Sequence, residues 1–156
     1  MRCERAGPSV TVVIAVVSDA SVALKWFHAQ GEEEVEASRE LVSLFGRRVV
    51  SLAVLNLTKF ELGNALLRGR AQASAAQVST VVGALAEICP AIEPSTNELA
   101  VAADLADQHD LTLYDATYAA VAQARGAELA SLDKALLKAG LARPPAEVVA
   151  LVAQAG

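Results

Sequence analysis

The sequence predicts an α/β fold, a mainly parallel sheet of about four or five strands with helices on both faces. Two observations lead there. Short apolar runs rich in β-branched residues alternate with amphipathic segments of helical length along the chain, with no internal repeat and no low-complexity linker. Helix-length connections between strands are what parallel pairing requires, because a parallel neighbour cannot be reached through a tight turn. At 156 residues and 54% apolar content the chain is long enough for one domain with a real core, and its 4% aromatic content makes that core mostly Ala, Val and Leu.

The first strand is expected over Val10–Val17, since β-branched runs suit a buried parallel strand. A helix follows from about Ser21 to His28, with Ser21 as its cap. "GEEEVEASRELVSLFG" reads as a second helix. The Glu32–Glu36 cluster sits in its first turn, where the macrodipole favours negative charge, and Val35, Leu41, Val42 and Phe45 form its apolar face. "RRVVSLAV" is a short strand. "TKFELGNALLRGR" is a helix ending near Gly69, with Phe60, Leu62, Ala65 and Leu66 on its buried side. "SAAQVSTVVGALAEIC" is a helix stopped by Pro90, and "AIEP" a strand fragment. "STNELAVAADLADQHD" starts with the Ser95…Glu98 pattern of a capping box. "LTLYDATYAAVAQARG" is a helix with Asp115 in its first turn, "AELASLD" a last clear strand, and Asp133 opens the helix "KALLKAG". The closing "AEVVAL" is compatible with an edge strand or a helix.

A net charge of −5 argues against a broad nucleic-acid surface held by charge alone, although it leaves room for a local basic rim. Cys3 and Cys89 lack metal-type spacing and read as a near-terminal thiol and a core thiol, in keeping with a reducing compartment. His28 and His109 read as surface residues at helix ends, so zinc is disfavoured. GxSxG, GxGxxG and GxxxxGK[ST] are absent from the sequence. Arg2 and Arg5 before Val10–Val17 imitate a short secretion signal, a run too short to span a bilayer as a helix.

Ligand sites in parallel α/β sheets form beyond the carboxyl ends of the strands. Asp19 follows the first strand, Asp133 the last, Asp115 starts a helix after a loop, and Glu61 lies early in its helix. Each acid taken singly has a capping or surface reading. Jointly they predict converging carboxylates, which repel one another unless a cation intervenes; hard oxygen donors suit Mg²⁺ or Mn²⁺.

The segments "SDAS" (Ser18–Ser21), "FELGNALLR" (Phe60–Arg68), "LTLYDATYAAVA" (Leu111–Ala122) and "SLDKAL" (Ser131–Leu136), in this order, resemble a PIN domain and more narrowly VapC-type toxins of bacterial toxin–antitoxin pairs. The resemblance implies a Rossmann-like three-layer fold over residues 10–156, preceded by a nine-residue extension (1–9) longer than is usual. It also implies metal-dependent hydrolysis of RNA. It assigns Asp19, Glu61, Asp115 and Asp133 to the catalytic acidic cluster, with Asp19, Asp115 and Asp133 holding Mg²⁺ or Mn²⁺. Ser21 and Asn64 match supporting polar positions. Lys25, Lys59, Arg68, Arg70 and Lys134 lie near these motifs and are candidate RNA-phosphate contacts; Trp26 and Phe27 read as core.

Relatives often carry a proline before the glutamate helix, whereas this chain reads "VVSLAVLNLTKFE", which leaves the register of that loop open. The partners implied are RNA, a small DNA-binding antitoxin of VapB type, and a second copy in a homodimer, in the cytoplasm and away from membranes. The Ala-rich helices allow close packing within or between chains. Other readings are a catalytically inactive PIN-like module that binds a metal or a partner, a phosphotransfer domain using Asp19, and a secreted protein.

Overall fold

The computed structural model describes residues 12–29 and 33–156. In chain order these form β1 (Ile14–Ser18), α1 (Ala20–Phe27), α2 (Val35–Gly46), β2 (Val50–Leu55), α3 (Thr58–Arg68), α4 (Ala75–Ile88), β3 (Ala91–Ile92), α5 (Thr96–His109), α6 (Leu113–Ala124), β4 (Glu128–Ala130), α7 (Lys134–Lys138) and α8 (Pro145–Ala155). The four strands make one parallel sheet in the order β3-β2-β1-β4. The chain builds outward from β1 through β2 to β3, then returns to lay β4 on the other side of β1. That reversal puts a topological switch between β1 and β4, where an α/β sheet opens a crevice beyond its strand ends.

Register divides the core between the two faces. Val16 lies opposite Leu52, and both join a core with Val22, Leu41, Leu62 and Val148. Val17 lies opposite Leu129, and both face Tyr118, Val121 and Leu136. Neighbours along a strand point to opposite sides, so one β-branched run serves two layers of helix. Ala102, Ala116 and Ala120, all fully or almost fully buried, let α5 and α6 pack closely within the chain.

The first strand is shorter than expected. Val10, Thr11 and the extension 1–9 lie outside the described residues, as do Cys3 and Glu32, while Val12 and Val13 are exposed ahead of the strand. Phe60 does not belong to the buried side of α3: the residue is 71% exposed, and Leu62 and Leu66 carry the burial there. The C-terminal segment is the helix α8, with proline at its start, where a missing N–H costs no hydrogen bond. The capping box at Ser95 and Glu98 is formed, and Ser74 with Gln77 makes a second. Trp26 and Phe27 pack on the core, and Trp26 Nε1 donates to the Ser38 carbonyl at 2.9 Å. Cys89 is a buried thiol pushed up to about 11 by desolvation. Among the described residues no helix is long and apolar enough to cross a membrane.

Candidate active site

Asp19 is the first residue after β1, and the sheet ties it down before any side chain is considered. Its amide donates to the Ala130 carbonyl at 3.2 Å, in step with the β1–β4 ladder. Its backbone is extended, and Oδ1 accepts the Val22 amide at 3.2 Å, so Asp19 is the N-cap of α1. This corrects the expectation that Ser21 caps that helix and frees Asp19. The helix begins one residue earlier, and Ser21, already in its first turn, donates its hydroxyl to Asp19 Oδ1 at 2.5 Å. The Ser21 oxygen in turn accepts the Leu132 amide at 2.9 Å. Ser131 donates to Asp19 Oδ2 and accepts the Asp133 amide at 3.0 Å. Two serines thus clamp one carboxylate and join the loop after β1 to the loop after β4.

Asp19 is 4% exposed, and burial raises its carboxyl from 3.8 to about 6 against the opposing pull of Ser131, Ser21 and the Val22 amide; Asp115 adds to the rise. Capping and a role in the site are therefore compatible, since each carboxylate oxygen has more than one lone pair.

Asp115 lies in the first turn of α6, whose cap is Thr112: the threonine oxygen accepts the Asp115 amide at 3.1 Å. Desolvation and then Asp133 raise the Asp115 carboxyl. Glu61, in the first turn of α3, is raised by desolvation and by the charges of Asp19 and Asp115. Asp133 caps α7, accepting the amides of Ala135 and Leu136 at 3.0 and 3.1 Å. The fold therefore brings all four acids into electrostatic contact: Asp19 with Glu61 and Asp115, Glu61 with Asp115, and Asp115 with Asp133. None of them takes part in the salt bridges found among the described residues.

Glu61 and Asn64 share a cavity of about 360 Å³ with Leu57, Phe60 and Tyr114. The loop before Glu61 has a definite register. Asn56 and Leu57 form the turn, and the Leu55 amide donates to Thr58 Oγ1 at 3.0 Å, anchoring the start of α3. The basic residues are dispersed. Lys59 lies with its ammonium 5.2 Å from the Phe60 ring centre, Lys25 occupies the last turn of α1, and Lys134 opens α7. Arg68 and Arg70 come seven and nine residues after Glu61, about 10 Å or more along the helix direction from it. Three hydroxyls in or beside the site were not singled out from sequence: Ser131, Thr58 and Tyr118. The spacing Ser131–Leu132–Asp133 and Tyr118, four residues after Tyr114 in an Ala-rich helix, were the signals available.

Among the described residues no three His, Cys, Asp or Glu side chains stand together as a ready-made metal cage. The donor set nonetheless suits a hard cation. It offers carboxylate oxygens, one of them deeply desolvated and without a counter-charge, and Mg²⁺ is typically held by one or two carboxylates with water and phosphate filling the remaining positions.

A family model for the PIN domain matches residues 16–141. This chain belongs to the PIN domain family. The match runs from within β1 to just past α7, and so includes all four acids and both serines of the clamp. Among solved structures, the PIN fold seen here is similar to PAE2754 from Pyrobaculum aerophilum, with 24% identity, a TM-score of 0.66, and coverage of 92% of this chain and 98% of that one. It is also similar to VapC20 of Mycobacterium tuberculosis, a toxin that cleaves the sarcin–ricin loop, with 16% identity, a TM-score of 0.62, and coverage of 80% and 95%. No match was found among curated proteins.

Proposed function

We propose that this PIN domain is a Mg²⁺- or Mn²⁺-dependent endoribonuclease, the cytoplasmic toxin of a type II toxin–antitoxin pair, neutralised by a small DNA-binding antitoxin of VapB type. One observation carries the reading: four carboxylates are linked in a chain of repulsion, Asp19 with Glu61 and Asp115, Glu61 with Asp115, and Asp115 with Asp133, with no ion pair to offset it among the described residues and with the buried Asp19 at the sheet's switch point. Such an arrangement costs stability and serves a fold that binds cations there. The toxin VapC20 shares the fold.

Asp19, Asp115 and Asp133 would hold the ion. When bound, it supplies charge neutralisation at phosphate oxygens and lowers the pKa of a water. The chain's own contributions follow from its geometry. Asp19 cannot swing, because both of its oxygens are engaged by serine hydroxyls and one also by a helix amide. Glu61 has one oxygen held by Tyr118 and a carboxyl raised by burial, which suits it to accept a proton from an attacking water. Asn64, which lines the same cavity as Glu61, would contact the substrate, and Lys59 and Lys134 are the basic residues nearest in sequence to Glu61 and Asp133.

The test is cleavage of structured RNAs by the purified chain. Cleavage is expected with Mg²⁺ or Mn²⁺, is lost with chelator, and returns when Mn²⁺ is restored. Asp115→Asn is expected to lower the rate by roughly 100-fold or more, as loss of a direct ligand should exceed loss of an outer contact. Unchanged cleavage in chelator, or in Asp115→Asn, would overturn the reading. Absence of cleavage with antitoxin binding intact would point to the inactive, partner-binding module.

Two apolar surfaces suit the partners. A cavity of about 530 Å³ lined by Phe27, Leu66, Ala73 and Val81 lies between helices and fits an apolar antitoxin segment. Phe60 and Leu67, seven apart on α3, are exposed together with Leu113 and Tyr114 at the start of α6. This face is the proposed homodimer contact. Phe60→Glu is therefore expected to convert a dimer to a monomer in light scattering, with the melting temperature of the dilute protein little changed.

A further inference from the structure

Thr58 is fully buried and the Tyr118 side chain almost so, yet neither hydroxyl is wasted. Thr58 Oγ1 accepts the Leu55 amide at 3.0 Å and lies 2.7 Å from Tyr118 Oη. Tyr118 Oη donates to Glu61 Oε1 at 2.8 Å. A hydroxyl has one proton to give. The tyrosine's goes to the carboxylate, so the Thr58 proton points to Tyr118. The direction is fixed from end to end: a peptide N–H at the end of β2, the Thr58 hydroxyl, the Tyr118 hydroxyl, the Glu61 carboxylate. Chains of hydrogen bonds that run one way polarise each other, and one that ends on an anion is stronger than a neutral pair.

This relay joins β2, α3 and α6. Glu61 and Thr58 are three apart on α3, whereas Tyr118 arrives from α6, three residues after Asp115. It is the only hydrogen-bond partner of the Glu61 side chain found among the described residues, and it leaves Oε2 unengaged. A hydroxyl placed only to fill the core would not end on the carboxylate of a partly buried acid that also feels Asp19 and Asp115.

We propose that Tyr118, backed by Thr58, is a positioning residue that pins one oxygen of Glu61 so that the other is presented to the acidic site in a fixed orientation. The inference rests on the nuclease reading above for its consequence, but not for its geometry. Tyr118 touches neither substrate nor ion; it acts through Glu61.

The test compares Tyr118→Phe, Thr58→Val and Thr58→Ser with wild type, using Mn²⁺ and one RNA substrate. The phenylalanine ring fills the same space, so the fold is retained. Tyr118→Phe is expected to lower kcat by about 10- to 100-fold, the usual range for loss of a contact that orients a metal-site group, with KM for RNA within about twofold. Thr58→Val should move kcat in the same direction, and Thr58→Ser, which keeps the hydroxyl, should restore it. In a Glu61→Gln background, Tyr118→Phe should add no further loss, since positioning has no object once the carboxylate is gone. A kcat for Tyr118→Phe within twofold of wild type, or losses that multiply in the double variant, would overturn the proposal.

A metal-free measurement separates this inference from the proposed function. The ¹³C resonance of the Glu61 carboxyl, assigned with Glu61→Gln, should move in Tyr118→Phe and Thr58→Val and stay in place in Thr58→Ser. If the wild type cleaves no RNA with either ion, the nuclease reading fails and this resonance decides the positioning claim. A resonance unmoved by Tyr118→Phe would refute it.

Discussion

Replacing Asp19 by Asn is expected to abolish metal-dependent RNA cleavage and at the same time to stabilise the metal-free protein at neutral and alkaline pH. Both effects come from one feature, a carboxylate buried without a counter-charge. The sign follows from linkage. The Asp19 carboxyl is raised from 3.8 to about 6 in the folded chain, so the folded state holds its proton more tightly than the unfolded one. Its contribution to stability is fully present below pH 4 and is lost as pH rises through 6. By pH 8 the ionised group disfavours folding by about 3 kcal/mol relative to its protonated form. Asparagine remains a good N-cap: its Oδ1 can keep the bonds from Val22 and Ser21, and its amide nitrogen can donate to the Ser131 oxygen, reversing that bond. Thermal unfolding of the metal-free proteins should therefore show the variant melting above wild type at pH 8 and near it at pH 4. An equal or lower melting temperature at pH 8 would contradict the burial argument. Adding Mn²⁺ should raise the melting temperature of wild type more than that of the variant.

The largest purely structural effect is expected from Ala120→Leu. Ala120 is 1% exposed and meets Ala102 and Ala116, both fully buried, where α5 lies against α6. Leucine drives three extra carbons against the buried Ala102 and Ala116, and overpacking of this kind costs about 3 kcal/mol, at the upper end of its usual range. For a chain of this size that lowers the melting temperature by roughly 6 to 12 °C. The displacement also reaches the site, because Asp115 and Tyr118 lie on the same helix. Val101→Leu, at the open rim of the α5–α6 groove at 44% exposure, is the control and should change stability by no more than about 0.5 kcal/mol. Comparable unfolding curves for the two variants would show that the alanine seam is not tightly packed.

Periodicity and punctuation made most of the fold legible in advance. β-branched runs marked β1 and β2, Pro90 marked the stop of α4, and Ser95 with Glu98 announced α5. Apolar identity alone misplaced Phe60, because side-chain type does not say which flank of a helix lacks a neighbour. The segment "AEVVAL" was ambiguous for the reason short apolar runs usually are, and its position after Pro144 and Pro145 decided it in favour of a helix. The four acids were placed from their positions after strands and at helix starts, but their support was hidden. Ser131 meets Asp19, and Tyr118 meets Glu61, across separations of 112 and 57 residues. No local pattern encodes contacts of that span. The capping assignment failed for a related reason: Ser and Asp are both good caps, and the β1–β4 ladder, which fixes the Asp19 backbone, decided between them.

The serine clamp has a consequence for how such a protein is born. Ser131 is synthesised 112 residues after Asp19, which at 5–20 residues per second is a delay of roughly 6 to 22 s. Until then β4 does not exist, the Ala130 carbonyl cannot receive the Asp19 amide, and the loop after β1 has nothing to fasten it. On the nuclease reading proposed above, this order of assembly acts as a timer: the nascent chain stays harmless through that interval and becomes competent only when β4 docks beside β1.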